Sequence, residues 1–262
     1  MLRQVLPALL ASLLTGVAGA AEKIVLYGDD DYAPYSYVED GRFKGIYVEL
    51  LRQAAVLLAP DYELELKPTP WKRGLRDLEL GSTLGLFPPY FRPNARPYIQ
   101  PYSAPLYHEV VVLFCTEKVM KVPRKRFPED FGGLTIGVNL GFIISEPMLV
   151  AAKQGKLAIE EAKGNNANIM KLASKRIDCY ANDRLSVLYS AKRLRAAANA
   201  PDSIKALILH EAAVLSGEDA FIGYSELFQA GYKQDFIQRM NGVLETLRKN
   251  GAINPLLAQA AM

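Results

Sequence analysis

Short apolar, β-branched runs that alternate with longer stretches of helical apolar spacing constrain this chain more than any other feature. Such alternation is satisfied by strands covered with helices, an α/β fold. Lys23 to Tyr27 reads as a first strand, followed by the turn-rich Gly28-Asp-Asp-Asp31 and a turn at Gly41. Residues 46–59 place Ile46, Leu50, Leu51, Ala54, Leu57 and Leu58 at helical spacing. Trp71 to Leu80 repeats the pattern with Leu75 and Leu78, and Gly81 ends it. Glu109 to Cys115, Leu134 to Asn139 and Ile177 to Ala181 are β-rich runs. A last helix carries Phe236, Ile237, Met240, Val243, Leu244 and Leu247 on one stripe, with Arg248 and Lys249 in its final turn and Gly251 as its cap.

The N-terminus bears on where such a fold would work. Arg3 precedes an apolar run from Val5 to Val17, and Ala18-Gly19-Ala20 has the small residues of a cleavage site, so residues 1–20 read as a secretory signal peptide cleaved near Ala20. The apolar run is short for a membrane span, which takes about 20 residues. A soluble periplasmic protein is the expectation. Removing residues 1–20 takes away Arg3 and no acid, which leaves 30 basic against 28 acidic side chains out of the 31 and 28 of the full 262 residues. That balance argues against a nucleic-acid partner. Half of the residues are apolar, enough for a full core in one large domain or two lobes. In an oxidising compartment Cys115 and Cys179 are open to a disulfide, and buried free thiols remain the alternative. His108 and His210 stand apart from any cluster at metal-ligand spacing, so no metal and no cofactor are expected.

The stretch Phe87-Pro-Pro-Tyr-Phe-Arg-Pro-Asn-Ala-Arg96 runs on to Tyr102-Ser-Ala-Pro105 and sets a fixed cation ahead of a turn. A guanidinium matches a carboxylate bidentately and keeps its charge at physiological pH, which makes Arg96 a candidate anion anchor. A solvated surface arginine is the competing reading.

With these residues in hand, the chain resembles the family 3 extracellular solute-binding proteins, which serve polar amino-acid ABC transporters. The resemblance is carried by five collinear blocks. They are Asp30-x-Tyr-Ala-Pro-Tyr-Ser-Tyr37 with Phe43-Lys-Gly-Ile-Tyr-Val-Glu-Leu50; Tyr90 to Arg96 with Tyr102 to Pro105; Phe131-Gly-Gly-Leu-Thr-Ile-Gly-Val-Asn-Leu-Gly141; Leu172 to Arg184; and Ala220 to Ser225 with the terminal helix. It implies a periplasmic binding protein-like type II fold, two α/β lobes joined by two crossover strands around a ligand cleft. Lobe 1 would comprise 22–108 plus 226–262 and lobe 2 would comprise 109–225, with hinges near Leu106–Glu109 and Gly223–Glu226 closing over the ligand. The implied partners are a small-molecule ligand bearing a carboxylate and a membrane ABC permease, and a monomer is expected.

The resemblance also implies a site. Arg96 matches the arginine that takes the ligand carboxylate, and Asp183 the acid that takes the α-ammonium; capping of a helix at 185–193 or pairing with Arg184 is the structural alternative for Asp183. Asp29 stands where members that take cationic side chains often carry an acid, with a solvated acidic turn as the alternative. Trp71 falls at an aromatic wall, with filling of a core between strand and helix as its alternative and Tyr32, Tyr35 and Tyr90 as further walls, whereas Tyr37 and Tyr47 read as packing residues. Two elements depart from the pattern. Pro88 to Phe91 replace small hydroxyl residues ahead of the arginine, and after Gly141 the chain has Phe142, Ile143 and Ile144 where a Thr or Ser is usual. The cleft is therefore expected to be narrower and more aromatic, with Gly141 and Phe142 at its edge and backbone N–H groups near Gly141 as a second anion site. The same fold hosts exported enzymes such as cyclohexadienyl dehydratases and ligand-sensing receptor domains; no acid–base pair singles itself out by spacing, so a binding protein without enzymatic activity is the primary expectation.

Overall fold

A computed structural model describes residues 21–261; the signal-peptide reading lies outside them. From the N-terminus the elements are β1 (Glu22–Asp29), β2 (Asp31–Tyr32), β3 (Ser36–Glu39), β4 (Arg42–Lys44), α1 (Ile46–Leu58), β5 (Tyr62–Thr69), α2 (Trp71–Glu79), β6 (Gly85–Phe87), β7 (Ile99–Tyr102) and β8 (Tyr107–Cys115). They continue with α3 (Glu117–Met120), β9 (Thr135–Asn139), α4 (Glu146–Lys153), β10 (Ala158–Ala162), α5 (Gly164–Ala173), β11 (Cys179–Asp183) and α6 (Arg184–Ala196). After α7 (Asp202–Lys205) come β12 (His210–Ala220), β13 (Gly223–Ser225), α8 (Lys233–Lys249) and α9 (Asn254–Ala261).

Two five-stranded sheets organise the molecule. The first has the order β5-β1-β6-β13-β7, the second β10-β9-β11-β8-β12, and β2-β3-β4 form a small third sheet. In the first sheet β1 runs parallel to β5 and β6, and buries Ile24 and Leu26 on alternate positions as its pattern requires. Helix α1 lays Ile46, Leu50, Leu51, Ala54 and Leu58 into the core; Leu57, in its last turn, is 52% exposed, because it lies with Val56 on the outward side of the helix while Leu58 beyond it is buried. Helix α8 buries Phe236, Ile237, Met240, Leu244 and Leu247, and Gly251 follows it in the left-handed conformation with φ 66°.

The chain crosses between sheets twice. It leaves the first sheet after Tyr102 and enters the second at Tyr107, then returns between Ala220 and Gly223. The two crossings are bonded to each other: Ser103 N–H donates to the Ile222 carbonyl at 2.9 Å, Ile222 N–H to Ser103 Oγ at 2.8 Å, and Leu106 N–H to the Ala220 carbonyl at 2.8 Å. The return crossing falls a few residues before the expected Gly223–Glu226. Gly223–Ser225 is already paired with β6 and β7 of the first sheet.

Cys115 and Cys179 stand opposite one another on antiparallel β8 and β11, Cα atoms 4.0 Å apart, and are joined by a disulfide. This resolves the open alternative, for reasons of register that spacing along the chain does not contain. The second unforeseen feature is at the head of β8. Glu109 is wholly buried, and its carboxyl is approached by phenols from three elements of the first lobe. Tyr32 (β2) and Tyr90 bond Oε2, the latter at 2.7 Å, and Tyr47 (α1) bonds Oε1. Burial, with Asp183 adding repulsion, pushes the Glu109 carboxyl up to about 8, against the phenol hydrogen bonds, which lower it.

Two measurements test these joints. The disulfide closes a sequence separation of 64 residues, so a Cys115→Ala/Cys179→Ala double variant is expected to lose about 2–4 kcal/mol in urea unfolding. A loss under about 1 kcal/mol would show that the bond adds little to a register the sheet already holds. For Glu109, the raised folded-state pKa means that its contribution is complete below the ordinary value of 4.5 and is lost as pH rises through about 8. Measured against Glu109→Gln, the unmodified protein is expected to lose stability between about pH 5 and about pH 9. A difference that stays flat over that range refutes the assignment.

Candidate functional site

The seam between the lobes is the place where the sequence-derived candidates meet. After β6, the chain turns through Arg92 to Arg96, with Arg96 N–H bonded to the Arg92 carbonyl at 2.8 Å, and this turn aims Arg96 back at the N-terminal end of α2. Arg96 is only 5% exposed. Its guanidinium lies over the Trp71 ring at 5.5 Å and donates from Nη2 to the Gly141 carbonyl of the opposite lobe at 2.8 Å. Burial lowers its pKa from the usual arginine value, yet the group retains its charge. Among the described residues no carboxylate pairs with it.

Around Arg96 the candidates Tyr32, Trp71, Tyr90 and Phe142 line a cavity of about 20 Å³, together with Pro88 and Ile143. That volume holds about one small group. The Phe142 ring fills the middle, edge-on to Trp71 at 5.6 Å and to Tyr32 at 5.3 Å. Gly141 has φ 80°, and a Cβ there would lie 3.0 Å from Lys72 Cγ, so glycine is what lets the second lobe approach α2 this closely. Its N–H donates to Glu161 at 2.8 Å. The amide expected as a second anion site is therefore already bonded to a carboxylate, and it is the carbonyl of Gly141 that faces the cation.

Asp29, Trp71 and Phe142 border a neighbouring cavity of about 80 Å³ with Asp30, Asp31, Lys72 and Lys163 on its walls. Asp29 is 4% exposed. One of its oxygens accepts the Asp31 N–H at 3.0 Å, and burial pushes its carboxyl up to about 8.

Tyr35 and Asp183 border neither cavity. Tyr35 stacks on Tyr47 with centroids 4.7 Å apart and donates to Asp183 Oδ1 at 2.9 Å. Asp183 ends β11 and caps α6, accepting the Ser186 N–H at 2.8 Å and the Val110 N–H at 3.3 Å. Its capping role is realised, and Arg184 pairs with Glu211 instead, at 2.8 and 2.6 Å. Burial raises the Asp183 carboxyl to about 6 against these hydrogen bonds.

Further residues not singled out as candidates fasten the lobes. Arg92 forms a two-pronged ion pair with Glu218 of β12 at 2.8 and 2.9 Å and donates to the Ile144 carbonyl at 3.0 Å. Ser186 Oγ donates to the Ala33 carbonyl at 2.6 Å, Lys72 pairs with Glu161 at 3.3 Å, and Tyr37 meets Tyr189 at 3.0 Å between hydroxyls. The one sequence sign of Glu109 was an acid heading the otherwise apolar run Val110 to Cys115, since a carboxyl drawn into such a strand must find donors.

Comparison with known proteins agrees with this architecture. No curated protein matches the chain. A histidine kinase sensor domain with similarity to periplasmic binding proteins superposes with a TM-score of 0.72 at 18% identity, over 91% of this chain and 96% of its own. An ancestral arginine-binding protein bound to arginine does so with 0.70 at 17%, over 90% and 97%. An ancestral amino acid-binding protein that is a precursor of cyclohexadienyl dehydratase gives 0.68 at 19%, over 90% and 94%. At such identities the likeness is one of fold, the type II architecture of periplasmic binding proteins. The family model of bacterial extracellular solute-binding proteins, family 3, matches residues 24–260, nearly all of the described chain. The chain belongs to that family.

Proposed function

We propose that this protein captures a small solute bearing a carboxylate between its lobes in the periplasm and delivers it to a membrane permease of the ABC type, with no bond broken. The observation that carries the reading is Arg96: a buried guanidinium in the seam, stacked on Trp71, whose hydrogen-bond partner among the described residues is a carbonyl rather than a carboxylate. Five N–H donors on one planar group leave a fork free for a ligand carboxylate. A charge withdrawn from water without a counter-ion is costly, and a ligand anion offsets that cost. Gly141 sits across the cleft on the second lobe, so the same donors that would hold a ligand also reach for the opposing lobe. Lobe closure and ligand capture are thereby coupled.

The disposition of two buried acids, Glu109 and Asp183, suits structure rather than chemistry. A general acid or base must reach the reacting atoms, whereas the Glu109 carboxyl is enclosed by phenols and Asp183 by Tyr35 and backbone N–H groups. Incubation with prephenate or arogenate is accordingly expected to leave the absorbance spectrum unchanged, and appearance of an aromatic product would establish an enzyme.

Native mass spectrometry of protein taken from the periplasm identifies the solute. Calorimetry with that solute then tests the anchor. Arg96→Ala is expected to weaken binding by at least ~2 kcal/mol, about thirtyfold. An unchanged dissociation constant in a variant that still melts cooperatively removes Arg96 from the site.

A further inference from the structure

The second sheet has a cleft edge and an opposite edge. Strands β9, β10 and β11 run parallel, and β8 runs against β11 and β12, so Cys115 lies along one edge with the first residues of the others, Thr135, Ala158, Cys179 and His210. Glu109, Gly141 and Asp183 belong to the other edge, where the lobes meet. The edge at Cys115 is therefore the pole of the second lobe that points away from the cleft. Four separate segments cap it: 116–134, 153–157, 174–178 and 202–209. They are bound to one another. Thr116 N–H donates to the Asp178 carbonyl at 3.0 Å and Gly133 N–H to the Lys156 carbonyl at 2.7 Å. Thr116, Glu117, Lys175, Ser203 and Ile208 also border one cavity of about 490 Å³.

This pole is basic. The four segments carry ten basic and five acidic residues, whereas the 30 and 28 of residues 21–262 nearly balance. Lys118, Lys121, Lys125 and Arg126 of the first segment are exposed, as are Lys153 and Lys156 of the second and Lys175 and Arg176 of the third. Among the described residues none of these eight forms an ion pair with a carboxylate. Elsewhere Lys72, Arg92, Arg184 and Arg239 are each paired. Two of the five acids serve backbone groups: Asp130 accepts the Lys125 and Arg126 N–H groups at 2.9 and 2.8 Å, and Asp178 the Thr135 N–H at 2.9 Å. Arg124 holds the loop from inside, stacked on Phe131 at 5.5 Å and donating to the Asp130 carbonyl. The exposed cations thus stand on a fastened loop.

We propose that this pole is a docking surface for an anionic membrane, its cations set against phospholipid headgroups. Like charges gathered on one face repel until a counter-charge is brought to them. A lipid surface supplies it wherever a cation stands, without the register that a protein partner has to match. Apolar side chains lie among the cations: Val122, between Lys121 and Pro123, is 55% exposed and Ile208 is 61% exposed. Charge beside hydrocarbon suits the headgroup boundary of a bilayer. A wholly polar polyanion would leave those side chains in water. The inference does not rest on the Arg96 reading, because the pole and the cleft occupy opposite edges of the sheet.

Vesicle co-sedimentation tests it. Protein taken from the periplasm is expected to bind phosphatidylcholine vesicles containing one-third phosphatidylglycerol at least tenfold more tightly than vesicles of phosphatidylcholine alone. Release is expected at about 1 M salt, where the Debye length is about 3 Å. Lys121→Glu/Lys125→Glu/Arg126→Glu reverses three exposed charges of the pole and is expected to weaken that binding at least tenfold. Arg42→Glu/Arg248→Glu/Lys249→Glu makes the same change in net charge on exposed residues of the first lobe, and is expected to bind as the unmodified protein does. Equal binding to the two kinds of vesicle, or an equal loss in the two variants, overturns the inference. The first comparison needs no variant, so misfolding cannot mask it. If neither kind of vesicle is bound, the membrane assignment is wrong and an acidic protein is what the face fits.

Discussion

The carboxyl of Glu109 fixes how the two lobes meet. It is a buried acid with no cation beside it among the described residues, and three phenols from β2, α1 and the segment after β6 converge on it. Each such hydrogen bond contributes about 1 kcal/mol net, but a buried carboxyl stripped of them would cost several times that. The constraint therefore acts mainly by exclusion: arrangements of the joint that leave Glu109 unbonded are ruled out. Two of the same tyrosines, Tyr32 and Tyr90, also line the cavity around Arg96. The chemistry of the joint thus shapes the wall of the cleft, and a ligand that displaces either ring also disturbs the joint.

How far the sequence revealed the fold depended on whether the deciding interaction was local. Helices α1, α2 and α8 were legible because a stripe at helical spacing, joined in α2 and α8 by a left-handed glycine at the end, is a property of one segment. Strand β12 was not. Its residues His210 to Ala220 carry acids, a serine and a glycine, and two register shifts against β8 break any alternation. Pairing of Cys115 with Cys179 likewise depends on the register of β8 against β11, set by contacts 64 residues apart.

The site divides along the same line. Arg96, Trp71, Tyr32, Tyr90 and Phe142 were recognisable as polar and aromatic residues in ordered motifs, and the structure gathers all five around one cavity. What could not be read was the partner each group takes. Tyr35 and Asp183 bond to each other across the lobes, and Tyr47, expected to pack, is also a hydrogen-bond donor to Glu109. Partner choice among buried polar groups is settled by three-dimensional satisfaction, since every donor and acceptor withdrawn from water needs its counterpart. Residue type states the demand, and only the fold shows who meets it.

The altered residues around the arginine gain a physical meaning from this. Where hydroxyls would hold a carboxylate by several weak bonds, Pro88 and Ile143 offer none, so the guanidinium must supply nearly all the polar recognition at its end of the cleft. The bond to the Gly141 carbonyl carries charge on the donor side only, so it leaves the guanidinium without a counter-ion and is a poor substitute for an anion. On the proposed reading, the lobes are held at this point by a contact that a ligand carboxylate outcompetes. Elsewhere the lobes are held by the stronger Arg92–Glu218 fork and by Ser186 on the Ala33 carbonyl, both clear of the cavity. On that reading, a cleft fastened firmly at its rim and weakly at its anchor exchanges its internal contact for a ligand and keeps the contacts at its rim.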